Sequence, residues 1–104
     1  MALDLASAEL LAAAAKQPWL RPEEYWRSMT QATAQLSAPV VAIGVEALAH
    51  NAHDMLRRAK GTPIRVASKS IRVRGVLDAV LALPGYHGVL AYSLAEAVWL
   101  SETI

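Results

Sequence analysis

The sequence predicts an α/β protein in which N-terminal helices precede about three βα units of a parallel (β/α)8 barrel. Short apolar runs, typical of strands buried on both faces, begin at Val40, Ile64 and Gly88, an interval of 24 residues each time (64 − 40 and 88 − 64). An amphipathic segment with helical spacing follows each run. Strands that alternate with helices at a constant period are typical of parallel sheets. We therefore expect a helical segment at 1–38 and an incomplete barrel at 39–104.

The N-terminal segment contains two predicted helices. Residues 4–16 have few helix breakers and end before Pro18. Pro22 opens the second helix, because proline is favoured at the first helical position, and the two glutamates that follow suit the positive end of the helix dipole. Apolar residues then recur at helical spacing, and we expect this face to pack against the domain that follows; they are Trp26, Met29, Thr33 and Leu36.

The remaining elements are predicted from apolar runs and from the residues that begin or end helices and strands. Residues 40–43 predict the first strand and 45–59 its helix, which has a basic last turn and Gly61 as its C-cap. Residues 64–68 predict the second strand, and the helix after it runs to Leu81. Residues 88–92 predict the third strand, and Ser93 with Glu96 three residues later has the spacing of a capping box that opens the last helix.

Composition excludes several classes of protein. The 104 residues match one domain, and ten Lys and Arg against nine Asp and Glu leave a net charge of +1, so we expect no nucleic-acid partner despite four basic residues between 65 and 74. The absence of cysteine excludes disulfides, thiolate zinc sites and a cysteine nucleophile. No apolar run approaches the roughly 18 residues of a membrane span. We expect a cytoplasmic protein without a membrane partner.

The carboxyl ends of the predicted strands mark the expected site. They meet at one edge of a parallel sheet, where ligands bind in such folds, and Gly44, Lys69 and Ser93 lie there. Strand alternation puts Lys69 on the same side as Arg65 and the small Ala67. We expect a partly desolvated amine, which favours the neutral nucleophile needed for Schiff-base chemistry. The alternative is a solvated lysine beyond a strand end.

The segment 63–72, PIRVASKSIR, resembles the cofactor-lysine strand of fold-type III pyridoxal-phosphate (PLP) enzymes. That group includes alanine racemase, D-threonine aldolase and D-serine dehydratase, and the resemblance is greatest to bacterial amino acid deaminases/aldolases with an alanine-racemase-like N-terminal domain. It extends from about Tyr25 to Glu102 and includes the run GVLAYS at 88–93. The resemblance implies that Lys69 forms the internal aldimine with PLP. Arg65 and Tyr92 are candidates for further cofactor contacts, and no metal site is predicted.

The resemblance leaves the reaction open. The strand of D-threonine aldolase and D-serine dehydratase resembles R-P-H-x-K-T-H-K, and here Ala67, Ile71 and Arg72 replace the two histidines and the last lysine. Gly44 stands where the first strand of the family usually ends in Asp. Racemisation, retro-aldol cleavage and β-elimination of an amino-acid substrate all remain possible outcomes. Arg72 could bind a carboxylate or a phosphate, and it is left unassigned.

Two other functions compete with the enzyme. One is a non-catalytic PLP-binding protein similar to the pyridoxal-phosphate homeostasis proteins, and the other is a small α/β interaction module without a cofactor. A closed barrel needs eight strands and typically about 250 residues. We therefore expect the chain to be a fragment, inactive alone and part of a possible homodimer at full length. His50 and His53 form an H-x-x-H pair, which we interpret as two solvated histidines.

Overall fold

The computed structural model describes residues 2–103 as a mixed α/β structure with five α-helices and a two-stranded parallel sheet. A 3-10 turn at Pro18–Leu20 lies between the first two helices. None of the helices in the described range is long and apolar enough to cross a membrane. The elements in chain order are α1 (Ala8–Ala15), α2 (Pro22–Thr33), α3 (Val45–Ala59), β1 (Ile64–Ala67), α4 (Arg74–Leu81), β2 (Tyr86–Leu90) and α5 (Leu94–Thr103).

The described chain forms two compact units. One is Ala6–Ala52, and the other combines the residues from His53 onward with those up to Leu5. The boundary between the two units lies inside α3, whereas the pattern of the sequence changes from helical to alternating strand and helix near residue 38. The parallel sheet and the predicted lysine lie in the second unit.

The two N-terminal helices are confirmed, with one difference in packing. The helix α1 begins at Ala8, later than predicted, because the Ser7 hydroxyl caps it by accepting a hydrogen bond from the Leu10 N–H at 3.2 Å. The helix α2 begins at Pro22 as predicted. The expected packing of its apolar face is wrong for Trp26, whose side chain is 62% exposed and lies edge-on to Tyr25.

The predicted first strand does not form. Residues 40–43 lack strand structure, and Val41 is 84% exposed. A strand is held by ladder hydrogen bonds to a neighbour, and within the described residues the sheet contains only β1 and β2. An apolar run therefore indicates that a segment tends to be buried. Whether it forms a strand depends on a second strand that can pair with it.

The helix α3 spans the predicted residues and ends in the predicted way. Lys60 and Gly61 adopt left-handed backbone angles, with φ of 50° and 90°, and the Thr62 N–H donates to the Ala59 carbonyl at 3.0 Å. Glycine takes this conformation without steric cost, which is why it suits the end of a helix. Pro63 then leads directly into β1.

The strands β1 and β2 pair in parallel, as predicted, with a bulge in β2. Ile64 pairs with Tyr86 and Val66 with Val89, so β2 uses one residue more than β1 between these pairs. Gly88 lies in this bulge with φ of +83°, and an Arg65 guanidinium nitrogen lies 3.1 Å from where its Cβ would stand. The strand β2 begins at Tyr86 and ends at Leu90, so it lies two residues earlier than the predicted strand at 88–92.

One side of β1 contributes to the core and the other remains open. Val66 and Ser68 are buried, whereas Arg65 and Lys69 are exposed, which confirms the predicted alternation. The fully or nearly buried apolar side chains of this unit come mainly from α4 and the strands and include Val66, Val76, Leu77, Val80, Leu83, Tyr86 and Leu100. We call the buried side of the sheet its helix side and the opposite side its open side.

Candidate functional site

Lys69 lies in a turn that follows β1, at the carboxyl edge of both strands, where the sequence predicted it. The turn is closed by hydrogen bonds from the Ser70 N–H to the Ala67 carbonyl at 3.2 Å and from the Ile71 N–H to the Ser68 carbonyl at 3.1 Å. Lys69 is exposed, so the expected partial desolvation of its amine is wrong. The reason is that the described sheet has only two strands, and no further strand covers its open side next to Lys69.

Two cations contact the ring of Tyr92. The Nζ atom of Lys69 lies 5.4 Å from the ring centroid and the Cζ atom of Arg72 lies 5.2 Å from it. Cation–π contacts at exposed sites are worth about 0.5–1 kcal/mol each, and the Tyr92 side chain is 64% exposed. We call these three residues the Lys69 cluster. Tyr92 is thus brought to Lys69 as predicted, and Arg72, which the sequence left unassigned, joins them.

Arg65 and Gly44 have contacts elsewhere. The guanidinium of Arg65 lies over the bulge at Gly88, so its predicted cofactor contact stays a prediction. Gly44 belongs to the other compact unit, where the hydroxyl of Tyr25 occupies the space that a Cβ atom would need. The Lys69 cluster is therefore defined by β1, β2 and the turns that follow them.

A second polar group lies on the helix side of the sheet. The Ser68 side chain is almost fully buried, with 1% of its surface exposed, and its hydroxyl donates a hydrogen bond to the Glu96 carboxylate. The Ser93 hydroxyl accepts from the Glu96 N–H at 3.2 Å, which confirms one half of the predicted capping box. The reciprocal half is absent from the described contacts, because the Glu96 side chain reaches Ser68 instead.

Glu96 borders a cavity of about 320 Å³, which we call the helix-side cavity. Arg74 stacks on the Trp99 ring with its Cζ atom 5.3 Å from the centroid, and its Nη2 donates to the Thr103 carbonyl at 3.2 Å. Neither arginine of the cavity nor Glu96 forms an ion pair with another described residue. The cavity is lined by Ser68, Arg72, Arg74, Leu77, Glu96, Trp99 and Leu100.

This cavity was not predicted, although the sequence carries a signal for it. Tyr92, Glu96, Trp99 and Thr103 are spaced by four, three and four residues, which places them along one face of α5 and its approach. The position of Ser68 on the helix side was predicted from alternation. Only the tertiary contact between Glu96 in α5 and Ser68, which follows β1, brings that face and Ser68 together.

The two histidines of the H-x-x-H pair have structural contacts. The His50 ring lies edge-on to Trp19, with ring centroids 4.9 Å apart. His53 Nε2 lies 2.8 Å from the Leu5 carbonyl, and since a carbonyl only accepts, this nitrogen carries the proton. Both rings are half-buried, so their interpretation as solvated histidines is wrong. Among the described residues no three His, Cys, Asp or Glu side chains form a group that could hold a metal ion.

Comparison with models of known protein families, with curated protein sequences and with solved structures gave no significant match for this chain. The structure itself defines a mixed α/β protein with an exposed lysine at the carboxyl edge of two parallel strands. The Lys69 cluster and the helix-side cavity are the two groups of polar side chains from which a function can be argued.

Proposed function

We propose that Lys69 binds pyridoxal 5′-phosphate covalently and that the chain is the N-terminal part of a fold-type III enzyme acting on amino acids. The observation that supports the proposal most directly is the Lys69 cluster. It combines a primary amine, a guanidinium and an exposed aromatic ring at the carboxyl edge of a parallel sheet. Ligands bind at this edge in α/β folds, and the resemblance of residues 63–72 to a cofactor-lysine strand independently selects the same lysine.

Lys69 has the properties of an amine that can react with an aldehyde. It is exposed, and its only described side-chain contact is the Tyr92 ring. Lys69 would hold PLP through this amine by condensing with the cofactor's aldehyde, which releases one water molecule. No oxidant or reductant is needed.

The other two members of the cluster match the remaining parts of the cofactor. The Arg72 guanidinium offers several N–H donors to the phosphate and forms no ion pair within the described chain. The Tyr92 ring offers a flat apolar surface for the pyridine ring. Arg65 lies on the same open side of β1 and adds positive charge. When bound, PLP supplies an electron sink that stabilises negative charge on the substrate α-carbon.

A non-catalytic PLP-binding protein is the second candidate. The observation that favours it is the open environment of Lys69, whose described side-chain contacts include the Tyr92 ring but no carboxylate and no imidazole. Racemase, aldolase and deaminase chemistry commonly uses such groups beside the lysine for proton transfer. The two candidates therefore share Lys69 and differ in their response to amino acids.

The test is to incubate the full chain with PLP, reduce it with borohydride and map the product by mass spectrometry. We expect a pyridoxyl group on Lys69, loss of this product in Lys69→Ala, and no change in Lys60→Ala, which removes an exposed lysine outside the cluster. Arg72→Gln should reduce labelling by PLP severalfold but leave labelling by pyridoxal, which lacks the phosphate, unchanged. Equal labelling of several lysines, persisting in Lys69→Ala, would overturn the proposal.

The response to amino acids then separates the candidates, and it is measured on the complete protein of which the chain is proposed to be the N-terminal part, because the chain alone is expected to be inactive. A change in cofactor absorbance when a set of D- and L-amino acids is added supports the enzyme. Stable labelling of Lys69 without any spectral response supports the non-catalytic PLP-binding protein. If no pyridoxyl group forms on Lys69, both fail, and the interaction module without a cofactor becomes the better explanation.

A further inference from the structure

We propose that the helix-side cavity binds a small zwitterion, namely an α-amino acid with an apolar side chain. This site goes beyond the proposed function because it does not include Lys69 and involves no covalent chemistry, although Arg72 of the Lys69 cluster also borders it. The cavity contains charges of both signs that are not paired with each other or with any other described residue. A ligand that carries both charges would satisfy them together.

Arg74 is the expected partner of the ligand carboxylate. Its guanidinium is already held in place by the Trp99 ring and by one hydrogen bond to the Thr103 carbonyl. A guanidinium has five N–H donors in a planar fork, and this arrangement leaves donors for a bidentate contact with a carboxylate. Little side-chain ordering is then required when a ligand binds.

Glu96 is the expected partner of the ligand ammonium. One carboxylate oxygen, Oε1, accepts the hydrogen bond from Ser68, which is itself almost fully buried. This contact fixes the orientation of the carboxylate and leaves its second oxygen as an acceptor. The Ser68 hydroxyl donates to Glu96 and also lies 3.4 Å from the Leu90 carbonyl, so Ser68 acts as a positioning residue here.

The apolar lining and the volume define the rest of the ligand. Leu77 and Leu100 are buried, and the half-exposed ring of Trp99 lies beside Arg74. A volume of about 320 Å³ is near the lower limit of the roughly 300–1,000 Å³ typical of ligand pockets, which favours a small molecule. A simple anion would be repelled by Glu96, and a simple cation by the two arginines.

The first test is a titration of the isotope-labelled full chain with L-leucine, observed through the indole N–H signal of Trp99 in NMR spectra. Trp99→Phe identifies that signal among the three tryptophans. Two probes serve as controls: 4-methylpentanoate lacks the ammonium, and 3-methylbutylamine lacks the carboxylate. We expect each to bind at least about tenfold more weakly than leucine, because a hydrogen-bonded charge is lost in each case.

Matched variants test the assigned residues. Glu96→Gln and Arg74→Gln should each weaken leucine binding about tenfold, whereas Glu23→Gln and Arg27→Gln, at exposed positions of α2, should not change it. Glu96→Gln keeps an oxygen that can accept from Ser68, so the local fold is preserved. Circular dichroism checks that each variant remains folded.

The outcomes separate this proposal from the function proposed for Lys69. Equal binding of leucine and 4-methylpentanoate would show an ordinary anion site and overturn the zwitterion site, as would the absence of any shift at Trp99. Lys69→Ala should bind leucine normally while it loses the pyridoxyl product. Conversely, Arg74→Gln should bind leucine about tenfold more weakly while Lys69 is still labelled.

Discussion

The two sides of the β1–β2 sheet differ in the burial and in the contacts of their side chains. On the helix side, Ser68 is 1% exposed and its hydroxyl is committed to Glu96. On the open side, the adjacent residue Lys69 is exposed and touches one aromatic ring. Neighbouring residues of one chain therefore occupy opposite environments, because successive side chains at a strand end point to opposite faces.

This difference separates stability from chemistry. Burial of apolar surface, worth roughly 25 cal/mol per Å², is concentrated on the helix side, where Val66 and Leu77 lie in the core. The open side of the sheet contributes little burial but carries the reactive amine. Substitutions of buried apolar residues on the helix side should therefore lower the free energy of unfolding, whereas substitutions on the open side should leave it nearly unchanged.

The largest expected effect tests this separation directly. Leu77 is 2% exposed, and Leu77→Ala should lower the free energy of unfolding by about 3 kcal/mol, because it removes buried apolar surface and leaves a cavity. Lys69→Ala should change it by less than about 0.5 kcal/mol, as expected for an exposed side chain. Urea denaturation followed by circular dichroism measures both. Comparable losses in the two variants would remove the distinction between the sides.

An intermediate effect is expected at the polar contact of the helix side. Ser68→Ala leaves the Glu96 carboxylate without its donor and should lower the free energy of unfolding by about 2 kcal/mol. Ser70→Ala, at the exposed position two residues later, is the matched control and should be nearly neutral. The same denaturation experiment applies. If both serine variants behaved alike, the Ser68–Glu96 contact would have no measurable role in stability.

The smallest effect concerns Tyr86, at the start of β2. Burial raises the pKa of the Tyr86 phenol above its usual value of 10.0, because the charged form is disfavoured away from water. The unfolded chain then releases this proton first as the pH rises, so the stabilisation is complete below about pH 10 and is lost above it. We expect Tyr86→Phe to flatten the decline in unfolding free energy between pH 10 and the folded-state pKa. An identical decline in both proteins would contradict this assignment.

The start of α2, the end of α3 and the strand alternation were predictable because they depend on neighbouring residues. Pro22 opens α2 and Gly61 ends α3 through local backbone preferences. The side of β1 on which Lys69 lies follows from the two-residue period of a strand. The parallel pairing of residues 64–67 with the next strand followed from the alternation of strands and helices.

Other features required contacts between distant residues. The apolar runs at 40–43 and 64–67 predicted strands equally strongly. Only the run at 64–67 pairs with another strand, β2, in the described sheet. Likewise, Glu96 has the spacing of a capping box, yet its side chain bonds Ser68, which lies 28 residues earlier. A local pattern does not reveal which of two partners a side chain will choose.

By itself, the sequence determined the mixed α/β class, the start of α2, the extent of α3 and the position of Lys69 at the carboxyl edge of a strand. These features depend on periodicity and backbone preference, which act over a few residues. Only the tertiary structure decided that Arg72 and Tyr92 accompany Lys69, that the open side leaves its amine exposed, and that Glu96 and Arg74 border one cavity. The physical reason is that these contacts join side chains that are far apart in the chain, such as Ser68 and Glu96, and no local pattern specifies such a pair.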